Sequence, residues 1–407
     1  MRGGRKVLAI VAAAAASVAG SALAREVPAA RAEGWSRTYV VEWYEPAMYY
    51  GAKDGVISPG TDCPAGTHAS PDWVKVLMDA GYTRKEAEWL RDPANPTRSA
   101  VHGQPAMAFR GKDRQNVYDY PATATESGLT PVSGTIAEGL DLDDDASTGF
   151  TSPTGRKGID NNFYKALGCW KTYRGPPRMS SGAQGQNDGM REGAWTIVVV
   201  VSGRGKDPLN DKTVEVGFYH SGDKIVRDGM GNVASDYTFS IKPHFRQEAI
   251  FRGETRNGRI IAQGVGNVVL RNPGADPELP LLKSKLELEM KPDGRLVGLI
   301  GGYRPWLPVY KGWIAARGAV IEVLTWVQMP DVWYALRRYA DYSPSGPGGE
   351  KSYISYAMRV DAVPAYVMEP SGTTSVAKVK SYRAEAGATQ LAAISSGQAN
   401  SSGGGLE

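Results

Sequence analysis

Chemistry-bearing motifs are scarce in this sequence. Among 407 residues there are two cysteines and four histidines. His68, His102, His220 and His244 stand apart from one another, with no HExxH pair, and no CxxC accompanies Cys63, so neither a zinc site nor a covalent haem can be read. No G-x-S-x-G elbow occurs, which argues against an α/β-hydrolase. "GRGKDPLNDKT" has glycine and lysine without the spacing of a phosphate loop and reads as a polar hairpin turn. Long apolar runs are also missing. Val7 to Gly20 falls short of the ~20 residues that span a bilayer, and no later segment is long and apolar enough, so no membrane span is expected.

The charge balance is the next weak signal. "MRGGRKVLAIVAAAAASVAGSALA" has Arg2, Arg5 and Lys6, a short apolar run, then Ala22-Leu23-Ala24, the layout of a secretory signal peptide over residues 1–24. Removing it lowers Lys+Arg from 47 to 44 against 43 Asp+Glu, so the net charge drops from +4 to +1. Too little basic character remains to track phosphates, and nucleic acid is not an expected partner. The mature chain reads as soluble and periplasmic or secreted. In that oxidising setting, Cys63 and Cys169 are expected to form a disulfide.

What is present is glycine, proline and aromatic residues: 49 Gly, 26 Pro, 20 Tyr and 10 Trp. This suits a loop-rich, strand-rich exported protein. "RTYVVEWYEP" reads as a strand. Ser70 as N-cap and Pro71 at the first helical position open a helix that Gly81 stops, and a second short helix covers 85–91. Residues 95–131 look irregular. "WTIVVVVSG", "KTVEVGFYHSG", "SDYTFSIK" and "GRIIAQGVGNVVLR" are strand candidates, and "KSKLELEMKPDGRLVGLIGGY" is a hairpin with Leu286, Leu288 and Met290 on one face. "PDVWYALRRYAD" is a helix, and "SYISYAMRVDAVPAYVM" returns to strand. The order predicts a mainly β fold, a β-sandwich-like two-sheet core with a few helical additions. Its expected layout is an N-terminal region over 25–178, a flexible connection at 179–193, a β-rich domain at 194–369 and a disordered tail at 370–407.

The densest cluster of functional groups is "GLDLDDDASTGFTSPTGRKGIDNNFYKALGCW". Asp141, Asp143 and Asp145 alternate, and a turn at Pro153–Gly155 would fold Asp160 and Asn161 back towards them. These oxygen donors suit a hard cation, calcium above zinc or copper. The loop is not an EF-hand, because Ala146 and Ser152 stand where that motif needs glycine and glutamate. A solvated acidic turn is the plain alternative. Glu42 and Glu45 are paired carboxylates between aromatics, but three residues along a strand should put them on opposite faces. In "GGYRPWLPVYKGW", Tyr303, Arg304, Trp306, Tyr310 and Trp313 could form an aromatic platform for a glycan or a periplasmic protein, or equally a packed loop over a sheet.

At "GLDLDDD…FTSPTGRKGIDNNFYKALGC", "VEVGFYHSGD", "DGRLVGLIGGYRPW" and "VWYALRRYAD" the chain resembles an uncharacterised family of exported bacterial proteins, over roughly residues 63–367. The resemblance implies export and no activity. An association of that group with periplasmic c-type cytochromes implies a runner-up role as an accessory protein in periplasmic electron transfer. A separate alternative is a periplasmic enzyme acting on a polymer or a hydrophobic small molecule, with carboxylates such as Glu42, Asp141 or Asp160 as its acids. The favoured expectation is a calcium-stabilised, β-rich binding protein for a glycan or protein partner.

Overall fold

The computed structural model describes residues 34–51, 62–66, 71–92, 94, 106, 108–126, 128–174, 178–242, 249–270, 278–315 and 328–368. The expected signal peptide and the 370–407 tail fall outside the described residues, as do His68, His102 and His244 and part of the 95–131 segment.

The strands are β1 (Trp35–Pro46), β2 (Thr196–Gly203), β3 (Val214–Ser221), β4 (Thr238–Ser240), β5 (Ala249–Arg256), β6 (Arg259–Gly264), β7 (Val268–Leu270), β8 (Leu279–Met290), β9 (Leu296–Pro305), β10 (Tyr353–Pro364) and β11 (Tyr366–Met368). Their hydrogen-bonded order is β6-β5-β3-β2-β1-β10-β9-β8-β7, and β6 also pairs with β8. That extra pairing closes eight antiparallel strands into a barrel, with β7 extending the far end of β8. The mainly β expectation holds. The two-sheet sandwich does not, because β6 bonds on both its edges and a sandwich would leave one free.

On seven of the eight staves, paired residues trace the inner wall. Val201 faces Val216, Val216 faces Phe251, Ala262 faces Leu286, Leu286 faces Ile300, and Ile300 faces Met358, all buried. The alternate positions are charged over much of the outside, where Arg259 and Arg156 both pair with Glu287 and Arg252 pairs with Glu215. An apolar lumen inside a charged wall is the reverse of a lipid-facing barrel. The continuous run Ile197–Val201 has a local cause. Val199 and Val201 point inward, while Val198 and Val200 are also buried, on the side where Phe239 of β4 and Val367 of β11 are covered. Burial on both faces removes the alternation a half-buried strand would show.

At one end, the β2–β3 connection is tied in by Asp211. Its carboxylate accepts from Trp35 Nε1 (2.9 Å), Gly205 N (2.6 Å) and Thr213 N (2.9 Å), and its backbone N donates to Thr255 Oγ1 (2.8 Å). The other end is plugged by helices α3 (Asn162–Leu167), α5 (Trp306–Ala315) and α6 (Met329–Tyr339). Phe163 of α3 sets its ring edge-on to Tyr356 at 5.0 Å and to Trp313 at 6.2 Å. The small helices α1 (Trp73–Asp79) and α2 (Arg84–Leu90) appear where expected, with Asp72 rather than Ser70 as the N-cap of α1 and a Thr83–Glu86 capping box on α2.

The 179–193 segment, expected to be a flexible connection, contains helix α4 (Ser181–Arg191), capped by Ser180. Asn187 of α4 accepts from Tyr44 N (3.0 Å) and donates to Tyr44 O (2.9 Å), binding the helix to β1. Since β1 lies between β2 and β10, the N-terminal region supplies a stave of the barrel, so the expected boundary does not separate two cores. The Cys63–Cys169 disulfide forms as expected. Beside it, Arg174 and Asp62 make a fully buried ion pair at 2.8 Å, and the Tyr164 hydroxyl donates to Asp62 at 3.0 Å.

Candidate functional site

The Asp-rich segment folds back on itself as its turn residues require. Leu140 bridges Asp160, Phe150 bridges Ile159, and the reversal runs through Gly155, whose φ of +90° suits glycine. Leu140 and Leu142 pack with Tyr303 on the outer wall of β9, where a Cβ on Gly301 would come within 3.3 Å of Leu140 and 3.5 Å of Leu142. The aspartates between and after these leucines order the loop. Asp141 Oδ1 accepts from Asp144 N (2.7 Å), and Asp143 Oδ1 accepts from Asp145 N (2.9 Å). Gly158 admits the close approach, since a Cβ there would lie 2.9 Å from the Ala146 backbone and 3.1 Å from Asp141 Oδ2.

The outcome is convergence of Asp141, Asp143 and Asp160, each offering an oxygen, with all three oxygens within 4.8 Å of one another. Among the described residues, none of the three has an ion-pair partner. Asp160 is buried, and its Oδ2 accepts from Leu142 N (2.7 Å) and Asp143 N (3.3 Å). Burial raises its pKa to about 6 against those hydrogen bonds, with the charges of Asp143 and Asp341 adding to the rise. Carboxylate oxygens crowded in this way suit a hard divalent cation, whose charge would relieve the repulsion.

Two of the expected ligands are elsewhere. Asp145 Oδ1 accepts from Ser147 N (2.9 Å) and Ser147 Oγ (2.6 Å), and Asp145 is outside the converging group. Asn161 is a structural cap: its Oδ1 accepts from Tyr164 N (3.1 Å) at the start of α3, and its Nδ2 donates to Ala47 O (2.9 Å) and Glu138 O (2.8 Å). These contacts tie its amide to backbone on three segments of the chain.

Sequence reasoning missed Asp341, which follows α6. It accepts from Ser355 N (2.7 Å) and Ser355 Oγ (2.5 Å), and that same Oγ accepts from Asn162 N (2.8 Å), two residues beyond Asp160. Burial raises the Asp341 pKa to about 6 as well. No local signal marks it, since its relation to Asp160 exists only through β10.

The aromatic platform is a correction. Tyr303, Arg304, Trp306, Tyr310 and Trp313 are all buried, at 8% exposure or less. Trp306 to Ala315 is helix α5, and its apolar residues Trp306, Val309, Tyr310, Trp313 and Ile314 follow helical spacing. Arg304 lies over the Phe163 and Tyr356 rings at 5.4 and 4.6 Å, and the Tyr310 hydroxyl donates to Tyr118 O at 2.9 Å. Arg304, Trp306, Tyr310 and Trp313 hold the plug of the barrel, Tyr303 packs on its outer wall, and none of the five presents an exposed aromatic face.

Glu42 and Glu45 also depart from expectation. A β-bulge between Val41 and Trp43 inserts one residue opposite β10, so Val41 pairs with inward-facing Ala362 while Trp43 and Glu45 pair with outward-facing Asp361 and Arg359. Both glutamates reach arginines of the outer wall. Arg295 joins Glu42 to Asp361, and Arg359 contacts Glu45 at 3.2 Å and Glu138 at 2.5 Å. Glu45, Glu138, Arg359 and Asp361, with Trp43, Arg178 and the β9 segment Val297–Leu299, line a groove of about 270 Å³. Each of its carboxylates is held by arginine. They are poorly placed to act as free acids or bases.

No family model matches this chain, and no curated protein and no solved structure shows a significant match to it.

Proposed function

We propose that the chain is an exported, non-catalytic binding protein whose barrel is stabilised by calcium held at Asp141, Asp143 and Asp160. The observation that carries this reading is the meeting of three uncompensated carboxylates, drawn from two segments, within 4.8 Å. Oxygen-only donors on a loop of this kind favour calcium over magnesium, which demands a tighter octahedron and keeps more of its water. The disulfide agrees with an oxidising compartment. Among the described residues no helix is long and apolar enough to cross a membrane. A glycan or protein partner would meet the outer wall at the charged groove, whose carboxylates and guanidinium groups offer paired acceptors and donors. The runner-up, an enzyme or an accessory protein in c-type cytochrome electron transfer, has less support. Glu42 is neutralised by Arg295, and both cysteines are spent in the disulfide.

The test is calorimetric titration of calcium into chelator-treated mature protein, together with elemental analysis of protein that never met chelator. The expected result is one calcium per chain, with binding abolished in Asp143→Asn and weaker heat from magnesium. No heat from calcium and no metal in the untreated protein would sink the reading.

A further inference from the structure

The groove on the outer wall has a polar side and an apolar side. The bulge in β1 sets Trp43 and Glu45 opposite Asp361 and Arg359 of β10, and across β10 these two in turn pair with Val297 and Leu299 of β9, both half-buried. The polar groups are held in place by one another. Arg359 grips Glu138 through two nitrogens, at 2.6 and 2.5 Å, donates to Met48 O at 2.9 Å and contacts Glu45 at 3.2 Å. Arg295 contacts Asp361 at 2.6 Å, and Arg178 reaches the same carboxylate while lying over the Trp43 ring at 5.2 Å. Only Nη2 of Arg178 is engaged there, and its Nε and Nη1 make no hydrogen bond among the described residues. Arg178 also has a φ of +63°, a left-handed conformation that a long side chain adopts at a cost, and Gln184 Nε2 holds its carbonyl oxygen at 2.6 Å. Strain kept in place by such a contact is characteristic of ligand clamps.

We propose that this groove holds a single neutral sugar ring. This rests on the binding-protein reading above and names its ligand, without drawing on the calcium. Three carboxylates, Glu45, Glu138 and Asp361, face three guanidinium groups, Arg178, Arg295 and Arg359, so neither an anion nor a cation gains a net attraction. What the array offers is oriented hydrogen bonding. Lone pairs remaining on ionised carboxylates lie beside the unengaged N–H groups of Arg178, and vicinal hydroxyls, each both donor and acceptor, match that alternation. The C–H face of a pyranose matches Val297 and Leu299. The volume of about 270 Å³ lies just under the roughly 300 Å³ at which pockets for drug-sized ligands begin, which suits one ring. A protein partner is a poorer match, because Trp43, the aromatic anchor such an interface would use, is 1% exposed.

The experiment is saturation-transfer NMR on the mature protein with calcium present. The probes are D-glucose, D-galactose, D-mannose and N-acetyl-D-glucosamine, with D-glucuronate and D-glucosamine as charged counterparts. The expected result is binding of at least one neutral sugar, tighter than that of either charged one. Arg178→Gln should weaken it about tenfold, the worth of one hydrogen bond to a charged group. Melting checks that this variant folds, and if it does not, Val297→Glu on the apolar edge takes its place with a loss at least as large expected. No binding of any neutral sugar, tighter binding of a charged counterpart, or wild-type affinity in the folded variant would overturn the inference, as would a protein found seated on this wall instead. Each of those outcomes leaves the calcium titration standing. Sugar binding by a chain that takes up no calcium would remove the metal reading alone.

Discussion

Without a cation, this protein is expected to become less stable as the pH rises from 4 to 7. Asp160 and Asp341 have folded-state pKa values near 6 against an ordinary 3.8, because burial disfavours their charged forms. A carboxyl that holds its proton more tightly when folded gives stability that is fully present below 3.8 and is lost as the pH passes through about 6. The shift is about two pH units at ~1.4 kcal/mol each, so one such group accounts for roughly 3 kcal/mol. Part of the Asp160 shift is repulsion from Asp341, so the pair accounts for less than twice that. Carboxylates held below their ordinary range, such as Asp228 and Asp207, lose their contribution only below about pH 4 and leave this window clear. Urea unfolding in chelator at pH 4.5, 5.5 and 7.0 measures the slope. Asp160→Asn should reduce it to the share of Asp341, because the amide oxygen can still accept from Leu142 N without ionising. Calcium should invert it, since the ion binds the deprotonated carboxylates. Stability that stays level or climbs between pH 5 and 7 in chelator would show that these carboxyls are not desolvated as described.

Two further outcomes concern the scaffold. Replacing both Cys63 and Cys169 by alanine opens a loop closed over a separation of 106 residues, and denaturant titration should register a loss of about 2–5 kcal/mol. Arg174→Ala leaves Asp62 buried without its cation and should cost about 3–5 kcal/mol, more at pH 8 than at pH 5, where Asp62 can take up a proton. A cost below 1 kcal/mol would mean that water reaches that pair.

Legibility from sequence followed the range of the interaction. The β8–β9 hairpin was readable because Leu286, Leu288 and Met290 alternate up to the Pro292–Gly294 turn, a pattern that depends on neighbours only. The disulfide was readable by elimination in a chain with two cysteines. Barrel closure was not, because the strands of a sandwich and of a barrel alternate alike and only the β6–β8 pairing distinguishes them. At the site, Asp141 and Asp143 announced themselves by density and Asp160 by the turn that returns it. Asp341 sits some 180 residues further on and carries no such mark. The segment from Trp306 was misread because its Pro and Gly suggested a loop, although the spacing of Trp306, Val309, Tyr310, Trp313 and Ile314 already described a helix with one apolar stripe. Asn161 was misread for a related reason: an amide next to carboxylates resembles a ligand, yet three residues before Tyr164 N it is equally a cap.

The seam between β1 and β10 has a bearing on biogenesis. Val40 meets Val363 there, so the first stave cannot be bonded on both edges until the chain has been synthesised past Val363. Contacts so distant in sequence form slowly, and early fragments cannot settle into a finished fold.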